Sequence, residues 1–524
     1  MTTDNAAPAP PHPATLPELL QNGAASEVAL RAPGRVSLQY PGLRHEIAQF
    51  SVMLRAWGVG PASKVALLLP NGPEMATAFL GTACAAVAAP LNPAYKREEL
   101  DFYLGDLDAS AVVVGAEEHG PILATAAERG IPVLRLASDT ALPAGALRIV
   151  GERGHAATYT GPDTGPAPAD AALILHTSGT TSRPKQVPLT HANLLASARA
   201  IASTLALSRE DVGLNIMPLF HIHGLIAGLL APLSVSGVVV CTAGFNALRF
   251  MALLAAEKPT WYSAVPTMHQ AILERASRQP EAAAAAGLRF IRSSSASLPP
   301  QVFAALAETF GCPVVESYGM TEACHQMTSN PLPPGERKPG SVGFPAGPEV
   351  RIADATGRFL AGGEEGEIVI RGPNVTPGYV ANPKANAEAF FVTGDQRGSW
   401  FRTGDLGVLD ADGYLRISGR LKEMINRGGE KIAPREVDEV LLDHPDVAEA
   451  LTFAMPHPKL GEEVAAAVVL RQGASAGEEQ LRAHAALRLA AFKVPRRIVL
   501  LAEIPKGPTG KLQRIGLAQR LGLV

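Results

Sequence analysis

The stretch Leu173–Thr190, LILHTSGTTSRPKQVPLT, holds the densest set of groups able to bind an anion. Its apolar start, Leu173-Ile174-Leu175, reads as a buried strand. Behind it Thr177, Ser178, Gly179, Thr180, Thr181 and Ser182 offer five hydroxyls and closely spaced backbone N–H groups, and Arg183 and Lys185 add positive charge. Backbone donors crowded into a Gly-containing turn suit phosphate oxygens. Composition alone favours an ordinary Ser/Thr/Gly loop between strands. Nor is this a Walker A sequence, because Lys185 is followed by Gln186 where that motif carries Ser or Thr. A polyphosphate cradle of another kind is the expectation, and its meaning depends on what lies downstream.

Five further segments carry polar groups in a set order. They are Tyr318-Gly319-Met320-Thr321-Glu322, Thr403-Gly404-Asp405, Gly419-Arg420-Leu421-Lys422-Glu423, Gly428-Gly429-Glu430-Lys431 and Pro505-Lys506-Gly507-Pro508-Thr509-Gly510-Lys511. Any one alone is weak. In this order and at this spacing, together with the Thr177–Lys185 loop, they resemble the adenylate-forming acyl-CoA synthetase superfamily over nearly the whole chain. The resemblance implies an enzyme that uses ATP, Mg²⁺ and coenzyme A. A small-molecule carboxylic acid is activated at the α-phosphate, pyrophosphate leaves, and the acyl group passes to the CoA thiol. Such chemistry needs donors for the leaving pyrophosphate, a metal, and a cation over the transition state.

The same resemblance implies roles for single residues. Glu322 holds Mg²⁺, with Thr321 near the α-phosphate; read alone, Glu322 is equally a solvated acid at a helix start. Asp405 accepts from the ribose hydroxyls with Arg420 assisting, since two vicinal hydroxyls can donate to two carboxylate oxygens. Ser295, Ala296 and Ser297 line the adenine, and Tyr318 stacks on it, although a core tyrosine is the plainer reading. Lys511 brings a fixed charge to the reacting carboxylate and α-phosphate, with Lys506 a competitor for that role. Lys422 is the hinge about which the C-terminal domain rotates between the half-reactions, because Lys511 and the CoA thiol cannot both occupy one static site. Arg427, Gly428 and Gly429 then face the pantetheine channel, where glycines permit close backbone approach.

Within that superfamily, Pro218–Gly224, Arg292–Leu298 and Met320–His325 most resemble the oxalyl-CoA synthetases. A fatty-acid tunnel should present Gly, Ala and apolar side chains near the acyl carbon. Here His221, Ser295 and His325 offer polar donors instead. Oxalate is a dianion at neutral pH, so its second carboxylate needs donors once the first is activated. Each histidine by itself is as readily a satisfied core or loop residue. Malonate or another short acid fits the same donors, as does a carrier protein in place of CoA. Two departures from the superfamily pattern stand out. Gln186 replaces the glycine that follows the loop lysine, and Gly507-Pro508 stiffens the approach to Lys511. Gln186 is also the one feature favouring a degenerate nucleotide-binding paralogue.

Positioning these groups requires a layered scaffold. Strand candidates at Val65–Leu69, Ala111–Val114, Ile131–Leu134, Val238–Cys241, Phe290-Ile291 and Pro313–Val315 alternate with helical stretches such as Pro73–Ala89, which argues for parallel α/β layering. Beyond Arg337 short strands and Gly-rich turns, as at Gly366–Pro373, read as an antiparallel region. The expected fold is α/β. A large N-terminal domain, 1–419, contains layered α/β subdomains and a β-rich part at about 337–419; a small mobile α+β C-terminal domain covers 420–524.

Composition bounds the rest. The 524 residues, 47% hydrophobic and 18% charged, suit a globular protein with full cores, and a net charge of −3 offers no electrostatic case for nucleic acid. Gly224–Gly244 carries no charge over about one membrane span, but the Ser234–Gly237 break reads as a buried helix-turn-strand step, so no span is expected. Four dispersed cysteines and an N-terminus without a basic, apolar leader point to a reducing cytoplasm.

Overall fold

The computed structural model describes residues 13–150, 158–161, 165–177, 184–394, 397–505 and 513–523. Two largely parallel sheets carry the N-terminal part. In the first, Val314–Met320, Phe290–Ser293, Trp261–Ala264, Val212–Asn215, Val238–Cys241 and Val28–Arg31 lie side by side, all parallel. Short antiparallel strands close both edges, His325–Ser329 and Phe344–Pro345 at one and Leu38–Gln39 at the other. In the second, Val133–Ala137, Ala111–Gly115, Lys64–Leu68, Val87–Pro90 and Ala171–Thr177 run parallel. The strand Lys185–Thr190 folds back antiparallel on Ala171–Thr177. Near-continuous Val, Leu and Ala runs suit such strands because helices cover both faces.

Two elements differ from their sequence expectation. The helix at Pro73 stops at Ala85, and Val87–Pro90 is a strand. Alanine favours helix intrinsically, yet here small side chains are what fits between Lys64–Leu68 and Ala171–Thr177, and pairing overrides propensity. The helix expected before the Ser234–Gly237 break is a π-helix, His223–Leu230, that continues as Ala231–Ser234. Two glycines in it have a steric reason. A Cβ on Gly224 would lie 2.3 Å from the Pro218 carbonyl oxygen, and one on Gly228 2.5 Å from Asn215 Oδ1, so both positions are held to glycine. Among the described residues no helix is long and apolar enough to cross a membrane.

After Gly340 the sheets are antiparallel apart from Arg497–Leu500, which runs parallel to Gly461–Leu470. Glu349–Ala353, Gly366–Arg371, Ser399–Leu409 and Phe390–Val392 form one, with Leu415–Arg420 paired to Ser399–Leu409. A separate C-terminal sheet joins Glu430–Ile432, Ile425–Arg427, Gly461–Leu470, Val447–His457 and Arg497–Leu500. The C-terminal part has its own cores, one around Val437, Leu441, Val464 and Leu481, another around Phe453, Leu517 and Ile504. The fold is therefore mixed α/β with a large N-terminal and a smaller C-terminal domain. In the large core Trp261 and Phe290 stack with centroids 5.4 Å apart, both fully buried, and truncating either to alanine costs about 3–5 kcal/mol.

Candidate active site

The strand Val314–Met320 leaves the parallel sheet and reverses through the 3₁₀ turn Thr321–Ala323 into His325–Ser329. Cys324 and His325 both take positive φ, 49° and 88°, to make this reversal. The turn is so tight that a Cβ on Gly319 would lie 1.6 Å from the His325 carbonyl oxygen. The Tyr-Gly-Met-Thr-Glu order thus has a steric basis, and it sets Tyr318, Glu322 and His325 around one bend at the carboxyl end of the parallel strands, where open α/β sheets bind ligands.

Tyr318 is buried, and its hydroxyl donates to Asp405 Oδ2. Asp405 faces Arg420 across the antiparallel pair, and Arg420 Nε lies 2.9 Å from Asp405 Oδ1. Burial, then the Asp405 charge, push the phenol well above its ordinary range, so it stays a donor. Asp405 is itself buried, whereas the Arg420 side chain is more than half exposed.

Glu322 is 6% exposed, which sets aside the solvated-acid reading. Its Oε1 accepts from the Tyr379 hydroxyl at 3.0 Å, and Lys185 Nζ sits over the Tyr379 ring, 4.3 Å from its centroid. Burial raises the carboxyl above the usual range, with Tyr379, Lys185 and Arg420 pulling the other way. A buried carboxylate left in that balance fits a divalent cation. A single carboxylate donor suits Mg²⁺, which takes most of its ligands from water and phosphate.

A third cluster lies behind Ser295. His223 Nδ1 is 3.1 Å from Ser295 Oγ, and His223 Nε2 is 2.6 Å from Ser263 Oγ. Arg292 reaches His325 Nε2 at 3.1 Å and Gln326 Oε1 at 3.2 Å. The rings of His223 and His325 stack 4.7 Å apart. The bond to Ser295 belongs to His223, and His221, the other expected donor to the acid, makes a different contact. His221 occupies the preceding turn, half-buried, with its ring 5.2 Å from Phe220. The π-helix that starts at His223 accounts for this, since its first residue faces the strand Trp261–Ala264.

The other expected residues fall as follows. Thr177 and Lys185 pair across two strands at the base of the loop. Ser178, Gly179, Thr180, Thr181 and Lys511 lie outside the described residues. Ser295 adopts φ +73°, and Ala296 and Ser297 after it are exposed. Thr321 opens the 3₁₀ turn. Lys422 is exposed in the turn between Leu415–Arg420 and Ile425–Arg427. Arg427 pairs with the buried Glu463 at 2.5 Å, and Gly428 and Gly429 take φ of 60° and 103° in the hairpin after it. Gln186 is buried, donating to the Asp106 carboxylate at 2.9 Å beside its cross-strand neighbour His176, which bonds the same oxygen.

Sequence reasoning missed Tyr379, Arg292 and His223. Tyr379 sits in a stretch with no motif to mark it. Arg292, by contrast, carried a signal: an arginine that follows Phe290-Ile291 within a strand must be buried and must find partners.

Residues 21–380 match the family model described as AMP-binding enzyme, and residues 436–511 match that of the AMP-binding enzyme C-terminal domain. The chain is 44% identical over 516 residues to a protein of Arabidopsis thaliana named oxalate–CoA ligase, covering 96% of this chain and 98% of the relative. It is 41% identical over 506 residues to a Saccharomyces cerevisiae protein of the same name, covering 92% of each. Among solved structures, ATP-bound MatB from Rhodopseudomonas palustris superposes with a TM-score of 0.85 at 30% identity, covering 97% of this chain and 98% of that one. A match across two family models, nearly full-length relatives and the bend that gathers Tyr318, Glu322 and His325 leads to one conclusion: the chain belongs to the AMP-binding enzyme family.

Proposed function

We propose that the chain is an ATP-dependent acid–CoA ligase whose acid is oxalate. The observation that carries the choice of acid is the polar wall behind the bend, where Ser295 is bonded to His223 and His325 is bonded to a buried arginine. An alkyl chain offers this polar wall no hydrogen-bond partner, whereas a second carboxylate can accept from it. The oxalate–CoA ligase relatives at 44% and 41% identity support the same acid.

In the first half-reaction a carboxylate oxygen attacks the α-phosphorus, the bond to the bridging oxygen of the β-phosphate breaks, and pyrophosphate leaves. Glu322 is the residue that would hold Mg²⁺, which would neutralise charge on the phosphate oxygens. We assign Lys185 and the Thr177–Thr181 loop to the pyrophosphate, Asp405 and Arg420 to the ribose, and Ser295–Ser297 with Tyr318 to the adenine. Lys511 is assigned to the reacting carboxylate. In the second half-reaction the CoA sulfur attacks the acyl carbon, AMP departs, and the thiol proton passes to solvent. Rotation of 420–524 about Lys422, bringing Arg427–Gly429 to the pantetheine, answers the conflict between the two steps. The four free thiols support a reducing cytoplasmic setting.

The test is to trap the intermediate. With ATP, Mg²⁺ and ¹³C-oxalate but no CoA, mass spectrometry should show oxalyl-adenylate on the enzyme, and adding CoA should discharge it as oxalyl-CoA and AMP. Discharge by no thiol, or an adenylate formed with fatty acids and not with oxalate, would contradict the reading.

A further inference from the structure

Among the largest fully buried side chains of the described residues Arg292 is the one guanidinium, at 0% exposure, and its hydrogen bonds go to His223, Ser263, His325 and Gln326. Burial pulls it down to about 9, which still leaves it protonated at neutral pH. A buried cation bonded to two histidines, a serine and a glutamine is costly, and it fixes something in return: the direction of every hydrogen bond it touches.

Arginine can only donate. His325 Nε2, 3.1 Å from Arg292 Nη1, must therefore accept, and the ring proton of neutral His325 resides on Nδ1. Ser263 Oγ, 3.2 Å from Nη1, also accepts, which turns the Ser263 hydroxyl proton toward His223 Nε2 at 2.6 Å. His223 Nε2 then accepts the Ser263 proton, and its longer 3.4 Å approach to Nη1 can at most share a proton already given to His325 or Ser263. The His223 proton resides on Nδ1 and is donated to Ser295 Oγ at 3.1 Å. Ser295, already holding one donated proton, turns its own hydroxyl proton to an acceptor. The Gln326 amide closes the frame, since Oε1 accepts from Arg292 while Nε2 donates to the Ala346 carbonyl at 3.1 Å. A proton on either Nε2 would face a guanidinium N–H, so the Nδ1–H form of each ring fits the frame, and the two rings stack 4.7 Å apart within it.

We propose that Arg292 is a positioning residue that locks His223 and His325 in their Nδ1–H tautomers, so that the Ser295 hydroxyl and His325 Nδ1–H are presented as donors to the second carboxylate of a short dianionic acid. The tautomer lock stands on this chain's geometry; the choice of anion rests on the oxalate reading above. Arg292 itself does not touch the acid. It acts through the two histidines, and its uncompensated charge favours an acid that stays anionic after activation.

The test uses the full-length enzyme with ¹⁵N-labelled histidine and the variants Arg292→Met, Arg292→Lys, His325→Asn and His325→Gln. In the wild type, ¹⁵N shifts should place His223 and His325 in the Nδ1–H form. Arg292→Met should shift that form toward a mixture and raise KM for oxalate at least tenfold, while KM for ATP stays within twofold. Arg292→Lys, which keeps a cation and donors, should recover part of the loss. His325→Asn, whose amide nitrogen mimics Nδ1, should retain more activity than His325→Gln, which mimics Nε2. An Nε2–H tautomer in the wild type, an unchanged KM for the acid in Arg292→Met, or His325→Gln outperforming His325→Asn overturns the proposal. Should Arg292→Met fail to fold, the wild-type tautomers and the His325 pair still decide it. Should the wild type prefer another acid, the oxalate reading fails on its own, and the same measurements made with that acid decide the role of Arg292.

Discussion

Asp405 holds Tyr318 and Arg420 at once, taking the phenol proton on Oδ2 and the guanidinium on Oδ1 at 2.9 Å. One carboxylate thus ties the parallel sheet that carries Tyr318 to the antiparallel sheet that carries Arg420. If it also serves the ribose, removal should show in nucleotide binding and in sugar discrimination. We expect Asp405→Ala to raise KM for ATP about 10- to 100-fold, in line with roughly 1.5–3 kcal/mol for hydrogen bonds to a charged group, and Tyr318→Phe to raise it less. Comparing ATP with 2′-deoxy-ATP checks the assignment. The preference for ATP should largely vanish in Asp405→Ala, and its full retention would refute the ribose role.

Glu322 is buried and its carboxyl is raised by that burial, so the ionised form costs the fold something that a metal would repay. Glu322→Gln should lower kcat about 10²-fold and flatten its dependence on Mg²⁺ concentration, without lowering Tm at pH 8. Near wild-type turnover with an unchanged Mg²⁺ response would remove Glu322 from the metal site.

Glu316 offers a test of the fold that does not involve catalysis. It is 4% exposed, accepts from the Gly340 N–H at 3.2 Å, and burial pushes it up to about 7. Above its unfolded pKa of about 4.5 and below about 7, the folded state binds the proton and the unfolded state does not. Stability therefore falls as pH rises through that window, by an amount on the order of 3 kcal/mol. Glu316→Gln lacks this term. Urea unfolding at pH 5 and pH 8 should show the wild type losing ground to the variant, and parallel pH dependences would contradict the assignment.

Much of the scaffold was legible in the sequence because it follows from local rules. Apolar runs such as Ala111–Val114 and Val238–Cys241 are strands because nothing else buries them on both faces, and the texture change beyond Arg337 is the antiparallel sheet. The Val87–Pro90 strand was hidden, since four small or ring-constrained residues at the end of an alanine-rich run show a helix's composition and only pairing makes them extended. Glu322, Asp405 and Arg420 were marked by motif order. The bond from His223 to Ser295 was not, because it depends on the π-helix that starts at His223. Gln186 has a local account: its amide bonds Asp106 beside His176, tying the strand after the loop to the end of the helix Arg97–Leu107. That bond was invisible without the fold that brings Asp106 to it.

The central claim is that this chain activates a short dianionic acid and hands it to CoA. The most direct measurement is pyrophosphate release with oxalate, malonate, acetate and octanoate, each with and without CoA. Oxalate should give the highest kcat/KM, with sustained turnover only when CoA is present and little activity on octanoate. Octanoate outperforming oxalate by a wide margin, or turnover that ignores CoA and responds to a carrier protein instead, would contradict the account.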